Sequence, residues 1–304
     1  MDGFIIIDKP LGLTSHDVVH SVRKILNVRK VGHTGTLDPF ATGVLPVAVG
    51  EGTKAIPFLD ETLKEYLAVM HLGVITDTQD CTGKVLKENS FTHVNEQVLK
   101  ETFSRFVGTN KQVPPMFSAL KRSGVPLYKL ARQGKSIYRE PREIKIYSLT
   151  IEKIEMPKIT FKVSCSRGTY IRTLANDIGF ALGCGAHLSD LRRTMSGMFM
   201  ADKAISLEML SLLNERNCFD ENLISPHDAL SHLTDITLSN IGADRIRFGV
   251  IPDMECFEMS THERLLTGEK ITLSHKERLL AVAENICSPW VTGQKNLRLL
   301  RVFN

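Results

Sequence analysis

Two short, uninterrupted apolar runs, Phe4-Ile5-Ile6-Ile7 and Val44-Leu45-Pro46-Val47-Ala48-Val49, constrain this chain more than any other feature. Runs of that length with β-branched content read as buried strands, and none approaches the roughly 18 apolar residues needed to span a bilayer. The alternation around them is irregular. Tyr66 to Leu72 reads as a further strand, and Ile144 to Ile154 with Ile159 to Cys165 as a strand pair. Between them lie helical patterns. Val18, Val19, Val22, Ile25 and Leu26 recur on one face behind a cap at Thr14 or Ser15, and Val94 to Val107 is amphipathic. Leu127 to Gln133 reads as a short basic helix, and Tyr170 to Leu182 as a helix closing at Gly183. With no repeated βαβ period, the expected fold is α/β of the α+β kind, built on a mixed sheet and not a doubly wound parallel one. The segment from Asn214 to Asn222 is polar and reads as a connection. Runs at Arg278 to Ala283 and Leu297 to Phe303 then suggest a small β-rich unit, dividing the chain into 1–230 and 231–304.

With 42% apolar and 24% charged residues over 304 positions, the composition excludes disordered and fibrous classes. The N-terminus carries no basic leader, so a cytoplasmic location is expected. The six cysteines show no C-x-x-C pair and no histidine at zinc-ligand spacing, which points to reduced, mostly buried thiols and no metal. The net charge of +4 is unevenly spread. Residues 121–145 carry +6 and residues 23–30 carry +4, which leaves −6 for the remainder. A polyanion-binding surface needs such concentration, although two solvated helix faces would look alike.

Between the first helix and the strand at Val44 lies Gly32-His33-Thr34-Gly35-Thr36-Leu37-Asp38-Pro39. Its glycines permit tight turns and close approach to a ligand, and Pro39 disfavours helical backbone at Asp38. One acid is thereby held on a shaped loop. By itself Asp38 could equally end a turn.

The stretch from Gly32 through Asp38-Pro39-Phe40-Ala41-Thr42-Gly43 resembles the catalytic loop of the TruB-type bacterial tRNA pseudouridine-55 synthases. Asp8-Lys9-Pro10-Leu11-Gly12-Leu13-Thr14-Ser15, Lys64-Glu65-Tyr66 and Arg167-Gly168-Thr169-Tyr170-Ile171-Arg172 resemble the family's other motifs, in its order and approximate spacing. The likeness is strong over residues 4–200. Beyond 230 only the general look of a PUA-like RNA-binding domain remains.

The resemblance implies a pseudouridine synthase domain that isomerises a T-loop uridine of tRNA, at position 55, with no cofactor. Asp38 would be the nucleophile, kept ionised by Arg172. Tyr66 would stack on the target base and take part in proton transfer, with Tyr170 packed beside the carboxylate. Leu191 would wall the base pocket, and His33 would fill the gap left when the uridine flips out. The segment from Pro114 to Gly134 resembles the family's thumb, here 114–142, in which Lys121, Lys129, Arg132 and Lys135 would hold phosphates. The Asp8-Lys9-Pro10 motif is expected to support the fold near the site. A monomer acting on the tRNA T-arm, with no membrane and no obligatory protein partner, follows from that reading. Two rivals stand beside it: an RNA-guided synthase subunit and a non-catalytic tRNA-binding folding helper. The thumb-like insertion favours the stand-alone form, and the set Asp38, Tyr66 and Arg172 argues against the helper.

Overall fold

Uninterrupted apolar runs become strands buried on both faces when helices and a second sheet cover them. The computed structural model describes residues 1–303 except 123, 217, 258–264, 289 and 291–295. The parts of the expected thumb and C-terminal unit at those positions lie outside the described residues. The chain opens with β1 (Gly3–Lys9), α1 (Ser15–Leu26), β2 (Val31–His33) and β3 (Thr42–Val49). Next come α2 (Gly52–Ala55), β4 (Leu63–Leu72), β5 (Val74–Thr76), β6 (Val85–Glu88), α3 (Glu96–Arg105) and β7 (Gly108–Gln112). An excursion follows, with β8 (Lys121–Arg122), β9 (Val125–Pro126) and α4 (Leu127–Arg132). The chain returns through β10 (Arg142–Glu155), β11 (Lys158–Ser166), α5 (Ile171–Ala181), β12 (Ala186–Ser196) and β13 (Phe199–Met200). The helices α6 (Leu207–Glu215) and α7 (Pro226–Ala229) lead to β14 (Thr234–Thr237), α8 (Asn240–Arg247), β15 (Lys270–His275), β16 (Arg278–Asn285) and β17 (Leu297–Val302).

One large sheet runs β1-β3-β12-β4-β11-β10-β7, with β2 added to β3 and β13 to β12. Its pairings are antiparallel except β3 with β12, so the sheet is mixed, as the irregular alternation implied. Alternate residues of β1 and β3 enter different cores. Ile5, Ile7, Val47 and Val49 pack with Val18 and Val22 of α1, Leu210 of α6 and Phe219. Phe4, Ile6, Val44 and Ala48 face the other way and pack with Leu279, Val282 and Phe303. The strands β14 to β17 form their own sheet, and that sheet seals the back of the strand leading out of the Asp38 loop. The polar connection at 214–222 is therefore pinned by a buried phenylalanine.

Local rules account for the first helix. Thr14 caps it, accepting from Asp17 N while the Asp17 carboxylate accepts from Thr14 N, and Asn27 ends it in left-handed backbone at φ 51°. One departure from expectation and one element without a sequence signal matter. Gly32 and His33 belong to a short strand paired with β3, not to a free loop. The polar run Ala186-His187-Leu188-Ser189-Asp190-Leu191-Arg192-Arg193 forms much of β12, which lies between β3 and β4 near the centre of the sheet. Of the thiols, Cys165, Cys184 and Cys256 are buried, but Cys81 and Cys218 are exposed.

Candidate active site

Residues 34–41 cross from β2 to β3 over the start of α1, and several groups tie them down. Ser15, the first residue of α1, accepts a hydrogen bond from Leu37 N at 2.8 Å. Gly12 N donates to Pro39 O at 2.8 Å, and Ala41 N to Asp38 O at 3.1 Å. Lys9 is fully buried beneath them, its ammonium donating to Leu13 O at 2.6 Å, Pro10 O at 2.9 Å and Pro39 O at 3.3 Å. Burial pushes that amine down to about 8, against the pull of Asp38. The motif from Asp8 to Ser15 thus braces the loop on both sides of Asp38.

Arg172, in the first turn of α5, meets the carboxylate from the other side. Its Nε lies 2.8 Å from Asp38 Oδ2, and its Nη2 donates to Asp38 Oδ1 at 3.3 Å. The guanidinium also donates to Thr78 O at 3.0 Å and Phe117 O at 2.8 Å, and reaches Asp80 Oδ2 at 3.3 Å. The arginine side chain is 4% exposed, whereas that of Asp38 keeps 34% of its surface open. One face of the carboxylate is spent on its partner and another is free to meet a ligand. Burial raises the Asp38 carboxyl above the ordinary carboxylate range, Arg172 opposes that rise, and Asp80 adds to it.

Asp80 has no sequence feature that separates it from Asp77 three residues earlier. In the structure it is buried, accepting from Thr78 Oγ1 at 2.7 Å, Thr82 N at 2.9 Å and Thr82 Oγ1 at 2.6 Å. It holds the far side of Arg172. The threonines of Thr76-Asp77-Thr78-Gln79-Asp80-Cys81-Thr82 were the available signal for a hydrogen-bonded turn, but nothing local announces the arginine 92 residues away.

The two tyrosines are placed differently. Tyr66 on β4 is buried in the core that also holds Leu37, Phe40 and Leu191. Burial raises its phenol, with Arg193 opposing. Tyr170 is half-buried just before α5, its N–H donating to Gln112 Oε1 at 2.8 Å and its carbonyl accepting from Gln112 Nε2 at 3.1 Å. Burial raises this phenol also, with Ser118 and Arg172 opposing. Leu191 is 5% exposed in the same core as Tyr66. His33 is half-buried in β2, its Nδ1 shielded from solvent, and burial, Arg193 and His16 lower its imidazole below the ordinary value.

Lys121, Lys129, Arg132 and Lys135 are exposed on the excursion between β7 and β10, and Arg132 lies over the Tyr128 ring at 5.5 Å. None of the four has a carboxylate partner among the described residues. In the other basic segment, Lys30 is paired with Glu51 at 3.1 Å. The excursion touches the site through Phe117, whose carbonyl is one of the acceptors of Arg172. Among the described residues no cluster of three or more His, Cys, Asp or Glu is placed to hold a metal, and no helix is long and apolar enough to cross a membrane.

A carboxylate half-presented by a buried arginine, on a loop of a mixed sheet near two tyrosines and an exposed basic excursion, is an arrangement suited to an enzyme with a carboxylate nucleophile and a polyanionic ligand. Residues 23–171 match the TruB family pseudouridylate synthase N-terminal domain, and residues 172–233 match the tRNA pseudouridylate synthase B C-terminal domain. The boundary between the two falls inside α5, and both contribute strands to one sheet. The chain is 57% identical to a tRNA pseudouridine synthase B of Geotalea uraniireducens, covering 100% of this chain and 98% of the relative. It is 55% identical to that of Geobacter sulfurreducens, covering 100% of both. Among solved structures it is similar to the crystal structure of a Cbf5-Nop10-Gar1 complex, with TM-score 0.74, 29% identity, and 99% and 84% of the two chains covered. The chain belongs to the TruB family of pseudouridylate synthases. It is an isomerase that converts uridine to pseudouridine.

Proposed function

We propose that this enzyme acts on tRNA, converting the T-loop uridine at position 55 with Asp38 as nucleophile. The carrying observation is the Arg172 fork on Asp38, which leaves one face of the carboxylate open. The reaction breaks the N1–C1′ bond, turns the base and joins C5 to C1′. C5 loses a proton and N1 gains one, so no electrons are exchanged and no cofactor is required. Asp38 attacks at C6 or C1′, Arg172 keeps it charged, Tyr66 and Tyr170 receive the flipped base, and Leu191 walls the pocket. His33 fills the gap in the RNA stack. Lys121, Lys129, Arg132 and Lys135 hold phosphates, for which their exposure and lack of carboxylate partners among the described residues suit them.

In this reading residues 1–230 are the catalytic unit, 114–142 its thumb, and 231–304 a PUA-like unit that extends the RNA surface. The enzyme works in the cytoplasm as a monomer without an obligatory protein partner. The names of its relatives support tRNA as the substrate.

The test is turnover on a nucleotide, a linear strand, a T-arm stem-loop and whole tRNA, with the purified chain alone. The stem-loop should react and the nucleotide should not, because flipping draws on contacts remote from the base. Asp38→Asn should bind the stem-loop and fall to background turnover. Residual turnover at a tenth of the parent rate would remove Asp38 from its role, and equal rates on linear and folded RNA would refute recognition of the loop.

A further inference from the structure

Arg193 of β12 is 2% exposed and heads the fully buried side chains by size. Its Nε donates to Val44 O at 2.7 Å and its Nη2 to Gly35 O at 3.1 Å. Those carbonyls flank Asp38, one on each end of the loop. Its backbone pairs with Gly43 on one side and with Tyr66 on the other. At Gly43 the approach is so close that a Cβ would lie 2.2 Å from Arg193 O, and the glycine sits at φ +99°. On the β4 side its charge opposes the rise that burial gives the Tyr66 phenol.

No carboxylate pairs with Arg193 among the described residues. The buried acid of the same region, Glu61, is taken by Lys64 at 3.0 Å and Arg167 at 3.1 Å. A cation withdrawn from water without a counter-charge destabilises a fold by several kcal/mol unless its other partners return the loss. Here those partners are the carbonyls of Gly35 and Val44, on either side of Asp38.

We propose that Arg193 is a positioning residue for isomerisation, a single guanidinium that holds the chain on both sides of Asp38 from the strand that pairs with Tyr66, and so sets the carboxylate and phenol in register. It rests on the reading of Asp38 and Tyr66 as reacting groups. A planar fork with five donors can serve partners in several directions at once, which an ammonium on a flexible stem cannot. Loss of register by about 1 Å costs on the order of 100-fold in rate without altering how RNA is gripped elsewhere.

The experiment compares the parent with Arg193→Met, which keeps length and removes the charge, and with Arg193→Lys, which keeps the charge and loses the fork. Melting temperature, stem-loop Kd and single-turnover rate are measured on each. The expected result for Arg193→Met is a folded protein with Kd within about threefold of the parent and a rate down on the order of 100-fold. Arg193→Lys should recover about tenfold of that. Should Arg193→Met fail to fold, Arg193→Lys decides alone, with a rate loss of about tenfold at unchanged Kd as the supporting result. A folded variant turning over within about threefold of the parent, or a rate loss matched by an equal loss of affinity, overturns the proposal. Asp38→Asn run alongside separates the two readings. Inactive Asp38→Asn with active Arg193 variants refutes only this inference, whereas active Asp38→Asn refutes the role of Asp38 beneath it.

Discussion

Arg172→Lys tests the electrostatics of the site, because activity and stability should then respond to pH in opposite directions. The guanidinium now donates to Asp38 Oδ1, Asp80 Oδ2, Thr78 O and Phe117 O, and its Nε pairs electrostatically with Asp38 Oδ2 at 2.8 Å. A lysine ammonium has three protons and no fork, so some of these acceptors lose their donor. Breaking a buried ion pair costs about 3–5 kcal/mol when one partner is removed outright, and the retained charge should hold the loss to roughly half of that. For turnover, Asp38 must be ionised. Burial already raises its carboxyl and Arg172 opposes the rise, so weakening that opposition lifts it further. The variant therefore needs a higher pH to ionise Asp38, and the ratio of variant to parent rate should climb as pH rises through the range in which Asp38 ionises. Stability runs the other way. A carboxyl whose folded pKa lies above its unfolded value contributes stability that is fully present below the unfolded pKa and lost as pH rises through the folded one. Single-turnover rates on the stem-loop and urea midpoints across the same pH range read both effects. A rate ratio that is flat or falls with pH would refute this account of how Arg172 acts on Asp38.

Reversing Lys129, Arg132 and Lys135 to Glu should weaken RNA binding and flatten the log–log salt slope by about 2 to 2.7, from about 0.7–0.9 for each lost phosphate contact; an unchanged slope would mean that the excursion faces solvent. Phe303→Ala should cost about 3–5 kcal/mol, because its ring is buried with Phe4, Ile6 and Val44 of the large sheet, and a calorimetric shift of less than about 1 kcal/mol would contradict that packing. For the same reason, removing residues from Leu233 onward should lower the melting temperature of what remains, and a truncated chain with parental melting would show the C-terminal sheet to be a detachable accessory. Chelators should leave turnover unchanged, and loss of activity reversed by one metal would overturn the cofactor-free chemistry.

Local chemistry carried much of this architecture. The apolar runs at Phe4 and Val44, the Thr14 cap, and the hairpin of Ile144 to Ile154 with Ile159 to Cys165 follow from side-chain pattern and capping alone, and all are in the structure. The loop with Asp38 was legible because glycines, a proline and an acid at that spacing restrict the backbone whatever surrounds it. What the pattern could not show is β12. Asp190, Arg192 and Arg193 interrupt any apolar or alternating signal, and the strand exists because its charges are met from afar. Arg192 pairs with Asp8 at 2.8–2.9 Å, and Arg193 with the carbonyls of Gly35 and Val44. Asp80 was hidden for the same reason, its value lying in an arginine of another helix. His33 went from loop to strand because β3 offered it a partner edge. Propensity and periodicity are properties of neighbours along the chain, whereas the satisfaction of a buried charge depends on groups far away in sequence, which only the folded arrangement brings within hydrogen-bonding distance.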